Sequence, residues 1–87
     1  MSAPTVPLSN LLSDLIKHLV DRPELVDIDM HESKHTVTVE ISVHDSDVGK
    51  VLGKRGIHAE SLRCLFSAIY GKHGKRLLLQ VIDPKRR

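Results

Sequence analysis

Leu8, Leu11, Leu12, Leu15, Ile16, Leu19 and Val20 recur at intervals of three and four residues. The spacing places them on one stripe and predicts an amphipathic helix of about three turns, ending before Asp21-Arg22-Pro23. Ser9 or Asn10 is placed to cap its start. The period then falls to two. Val26, Ile28 and Met30 alternate with Asp27, Asp29 and His31, and Val37, Val39, Ile41 and Val43 alternate with Thr36, Thr38, Glu40 and Ser42. Joined by the polar Glu32-Ser33-Lys34, these runs predict an antiparallel hairpin with one buried face. His44-Asp45-Ser46-Asp47 is a helix-start signal, with Asp45 or Ser46 as the cap, for a short helix reaching about Leu52. Ile57, Leu62, Leu65, Phe66 and Ile69 mark the stripe of a longer helix. It stops where Gly71 or Gly74 takes the left-handed terminal position. Arg76 to Ile82 is a last strand. It carries Leu77, Leu79 and Val81 on one face and Leu78 and Ile82 on the other, which predicts a central place in the sheet.

Between the two predicted helices stands Gly53-Lys54-Arg55-Gly56. The glycines permit a tight bend and close approach of another backbone. The helix beginning after Gly56 points free N–H groups and its positive dipole end back at the loop. Lys54 and Arg55 add two full charges there. Together these features select an anion, with phosphate as the natural partner.

The loop resembles the GxxG loop of KH domains, which clamps the backbone of about four nucleotides of single-stranded RNA. The wider run Asp47-Val48-Gly49-Lys50-Val51-Leu52-Gly53-Lys54-Arg55-Gly56 is similar to that of the small bacterial KH proteins of the KhpA family. The resemblance extends over nearly the whole chain. It implies a type II KH domain: an α+β two-layer sandwich in the order α-β-β-α-GxxG-α-β, its three-stranded sheet covered by helices on one face. On this basis residues 1–7 are a flexible lead, 8–83 one domain and 84–87 a basic tail. The resemblance further implies a post-transcriptional regulator or RNA chaperone linked to cell-shape and peptidoglycan homeostasis. The implied partners are single-stranded RNA, a KhpB (Jag)-type KH protein and a second copy in a homodimer.

Composition refines this picture. Phe66 and Tyr70 are the only large aromatic residues, so readout by a row of stacked bases is not expected. The net charge is +2, but nine of the 11 acidic residues precede Gly49 and ten of the 13 basic ones follow Val48. A basic half beginning at the glycine loop suits a polyanion. The acids on the open hairpin face would repel one. Cys64 is the single cysteine, so neither an internal disulfide nor a cysteine zinc cluster is expected. No signal-peptide pattern and no apolar run of about 20 residues occurs, so the sequence predicts a cytoplasmic protein without membrane insertion.

The predicted RNA-binding residues divide by role. Gly53 and Gly56 admit the backbone, and Lys54 and Arg55 pair with phosphates, Arg55 through its fork-shaped guanidinium. Val51, Leu52 and Ile57, with Val48 and Ala59, either floor a base groove or belong to the core. Lys50 and Arg63 either extend the phosphate track or stand as solvated charge. His58, two residues past Gly56, either touches RNA or is a surface histidine. Gly49 to Arg55 superficially resembles a nucleotide-binding P-loop. It has three residues between its glycines where that motif needs four, and Arg55 stands where magnesium would need Ser or Thr. Six histidines form no HxxxH pair on a clear helix, so no metal or other cofactor is expected. Ser61 and Ser67 have no base and acid partners that the sequence can place, and no enzyme is expected. Double-stranded DNA is a lesser option, because no helix carries a set of base-reading Arg, Asn or Gln residues. The alternative reading is a structural or adaptor protein that uses the same loop for a protein contact.

Overall fold

The computed structural model describes residues 8–82. Its elements run α1 (Leu8–Leu19), β1 (Asp27–Glu32), β2 (Thr36–Ser42), α2 (Val48–Leu52), α3 (Ile57–Gly71) and β3 (Arg76–Ile82). Three-residue 3-10 turns stand at Pro23–Leu25, Asp45–Asp47 and Lys54–Gly56. The expected lead (1–7) and basic tail (84–87) lie outside the described residues. The fold is α+β, in the order that the KH resemblance implies.

β1 and β2 pair antiparallel from Asp27 opposite Ser42 to Glu32 opposite Val37. β2 and β3 pair parallel from Thr36 beside Arg76 to Ser42 beside Ile82. A parallel pair needs a crossover, and α2 and α3 supply it. The strand order β1-β2-β3 makes β2 the central strand and β3 an edge. The expectation that β3 is central is therefore corrected. Its second apolar row lies on the open sheet face, where Leu78 is 46% exposed. A doubly apolar strand is central only if both sheet faces are covered, and here one is.

The core lies on the other face. Val37, Val39 and Ile41 of β2 and Leu77 of β3 pack with Leu12 and Ile16 of α1, Val51 of α2, and Phe66 and Tyr70 of α3. The period-two burial along β2 and the helical spacing in α1 account for this layer. α3 departs from its predicted stripe: Ile57 and Leu65 are each 58% exposed, while Tyr70 is buried. The helix packs mainly on the edge strand β3, which is too narrow to cover that whole stripe. Gly74, not Gly71, takes the left-handed conformation after α3, with φ +74°.

The start of α2 also differs from expectation. The preceding turn is capped by His44, whose Nδ1 accepts the Ser46 N–H at 3.1 Å. Asp47 turns inward instead and is fully buried, the one buried charged residue among those described. Its carboxylate accepts the backbone N–H groups of Asp21 at 3.2 Å and Arg22 at 3.0 Å. The Lys50 ammonium lies 3.6 Å from it and 3.2 Å from Asp21. Burial alone would raise the carboxyl pKa. The two amides and the ammonium outweigh burial and hold it below the ordinary value of 3.8.

A carboxylate with a depressed native pKa stabilises the fold above its unfolded pKa, and that stability is lost as pH falls through the native value. Wild type is therefore expected to lose stability on acidification below about pH 4. Asp47→Asn removes part of that dependence and lowers the neutral-pH melting temperature by roughly 5–10 °C. Circular dichroism melts across pH check both. Equal melting temperatures at neutral pH would refute the assignment.

Candidate nucleic-acid interface

α2 ends because Gly53 leaves the helical region, with φ +75° and ψ 174°, a combination open essentially to glycine. Its N–H still donates to the Gly49 carbonyl at 2.8 Å. The next turn closes through the Gly56 N–H to the Gly53 carbonyl at 3.0 Å. Arg55 and Gly56 are both left-handed, with φ +59° and +76°. Arg55 is the one non-glycine residue with positive φ among those described. The bend thus places a bulky cation in a conformation that disfavours side chains. α3 begins at once after Gly56, and no side chain caps its N-terminus. The positive end of the α3 dipole therefore faces the loop cations.

Lys54 and Arg55 are exposed. Among the described residues neither has an ion-pair partner. With Ile57 and Glu60 they line a shallow open depression. The position of Glu60 there was not anticipated, although its spacing of three from Arg63 is the sequence signal for the pair they form. The Arg63 Nε donates to Glu60 at 3.1 Å, and a second nitrogen makes a short contact with the other carboxylate oxygen. The Arg63 side chain lowers the Glu60 pKa by hydrogen bonding, and Glu60 raises that of Arg63.

The two glycines differ in what surrounds them. A Cβ on Gly53 would fall 2.5 Å from the His58 ring, whereas one on Gly56 would meet nothing within 4 Å. The His58 Nδ1–H donates to the Lys50 carbonyl at 2.8 Å. Because the acceptor is a carbonyl, Nδ1 must carry the hydrogen.

The predicted residues therefore separate. Gly53, Lys54, Arg55, Gly56, Ile57 and His58 meet at the loop, with Leu52 exposed at its edge. Val51 has no exposed surface and packs in the core. Lys50 pairs with Asp21 and Asp47, and Arg63 with Glu60, and both cationic side chains stay partly exposed. Away from the loop, Asp29, His31 and Glu40 bring one potential ligand atom each within 4.8 Å on the open sheet face. Among the described residues no helix is long and apolar enough to cross a membrane.

Residues 9–81 match the family model described as KhpA/KhpB, KH domain. The chain is 37% identical over 76 residues to the RNA-binding protein KhpA of Halalkalibacterium halodurans, covering 87% of this chain and all of that protein. It is 35% identical over 78 residues to the RNA-binding protein KhpA of Chlamydia pneumoniae, covering 90% of this chain and all of the relative. The corresponding protein of Aquifex aeolicus is 36% identical over 76 residues, covering 87% of this chain and 96% of the relative. No solved structure matches.

The unequal surroundings of the glycines predict unequal substitutions. Gly53→Ala combines a disallowed φ with a clash and should lower the melting temperature by roughly 10 °C; Gly56→Ala carries conformational strain alone and should cost about half that. Thermal melts of the two variants check the order. A reversed order would refute the packing of His58 on Gly53.

Proposed function

The chain belongs to the KhpA/KhpB KH-domain family, and on that premise we propose that it binds single-stranded RNA through the Gly53–Gly56 loop. KH domains are binding modules, so no reaction is assigned. The observation that carries the reading is the pair of exposed cations, Lys54 and Arg55, held between Gly53 and Gly56, both at positive φ, at an uncapped helix start. The charges attract phosphate oxygens, and the α3 amides donate to them. Gly56 has open space above it and offers the closest approach of an RNA backbone. Leu52 and Ile57 give an apolar border on which bases can rest.

Lys50 and Arg63 contribute less than their charge suggests, since a phosphate must compete with the carboxylates that hold them. A module contacting about four nucleotides binds weakly, and a second module raises affinity through effective concentration. A KhpB-type partner or a second copy of this chain would supply it. An RNA-chaperone role in post-transcriptional control, with effects on cell shape and peptidoglycan, is the extension that family resemblance suggests.

The test is fluorescence anisotropy with a mixed-sequence single-stranded RNA across a salt series. Lys54→Asp/Arg55→Asp, shown to be folded by circular dichroism, is expected to lose at least tenfold in affinity and to flatten the salt dependence. Equal binding by both proteins would place RNA elsewhere. Absence of binding by both would favour the adaptor reading, in which the loop contacts another protein.

A further inference from the structure

The His58 ring is fixed from two sides. Its Nδ1–H is committed to the Lys50 carbonyl, and its ring lies against the face of Gly53 that a Cβ would occupy. Lys50 is one of the last residues of α2, whose terminal carbonyls lack helical partners, so this bond also caps α2. Among the described residues Nε2 has no partner, and the side chain is exposed. In the neutral ring Nε2 carries only a lone pair, which repels a phosphate oxygen. In the protonated ring it carries a hydrogen and a share of positive charge, which attract one.

We propose that His58 is a proton-coupled phosphate ligand of the loop: with Nδ1–H held by Lys50, the ring can donate to an RNA phosphate only after Nε2 takes up a proton. The inference rests on the RNA reading above and deepens it. It gives this chain a binding residue whose strength varies across the range in which histidine titrates.

The charges around the ring set the sign. α2 contributes Lys50, whose ammonium is turned to Asp21 and Asp47, and the negative end of its backbone dipoles. The loop contributes Lys54 and Arg55. α3 contributes the positive end of its dipole and Glu60, which Arg63 already holds. A phosphate bound among the loop cations adds negative charge beside the ring and favours its protonated form. RNA and proton therefore favour each other, and each must strengthen the other's binding by the same factor.

Anisotropy titrations of the same mixed-sequence RNA, at fixed ionic strength between about pH 5.5 and pH 8, are expected to show wild-type affinity rising about tenfold on acidification. His58→Gln keeps a polar side chain without the titration, and its affinity should change by less than about threefold over that range. The other five histidines are common to both proteins, so the difference isolates His58. Calorimetry of the wild type in two buffers of different ionisation enthalpy needs no variant and should show net proton uptake on binding near neutral pH. A flat wild-type profile, tighter binding at high pH, an unchanged slope in His58→Gln or no proton uptake would overturn the proposal. Failure of folded wild type to bind at every pH would instead overturn the RNA reading, and this inference with it.

Discussion

The buried Asp47 carboxylate joins parts of the chain that local structure would leave apart. A lone charge in a core is costly, and it persists only when fully partnered. Its partners are the amides of Asp21 and Arg22, just beyond α1, and the ammonium of Lys50 within α2. This contact anchors the start of α2. The bond from His58 to the Lys50 carbonyl anchors its end to α3. A helix of five residues is far too short to be stable alone. It exists here because tertiary contacts hold both ends, and Lys50 serves at each, through its side chain at one and its carbonyl at the other.

With both flanking helices anchored, the loop between them has little freedom to relax. It holds positive φ at Gly53, Arg55 and Gly56 within four residues. Strain of this kind persists where surrounding structure over-determines the backbone, and it concentrates at ligand sites. What the strain achieves is visible in the result: Lys54 and Arg55 project from a bend whose shape is set before any ligand arrives. A preformed bend has less entropy to lose on binding any ligand than a mobile one.

Much of this was legible in the sequence because periodicity reports faces. The three strands, the helix order and the glycine-bounded turn followed from spacing and turn residues. Periodicity does not report neighbours, and what spacing left open or misplaced shares that cause. β3 looked central from its two apolar rows, yet only pairing decides which strand is flanked. Val51 looked like a possible groove floor, but the approach of the sheet seals it. Lys50 and Arg63 stood open between phosphate track and solvated charge, since the net charge of a half-chain says nothing about ion pairs. Asp47 was read as part of a helix start, yet its amide partners lie 26 and 25 residues away. The Glu60–Arg63 pair was readable from helical spacing; the His58–Lys50 bond, which spans a turn, was not.

Charge also constrains where a polyanion can lie. On the open sheet face Asp29 stands opposite Glu40 across the β1–β2 pair, with Asp27 on the same face. Like charges opposed across a ladder cost stability, so this patch is not there to strengthen the sheet. Screening confines its repulsion to about 8 Å at physiological salt. The patch therefore acts only locally, and it makes the flat face unfavourable for a polyanion. That face also lacks the aromatic rings on which bases would stack, since Phe66 and Tyr70 are both in the core. The acidic sheet face and the exposed cations Lys54 and Arg55 at the helix–turn–helix corner therefore present opposite charge to any polyanion.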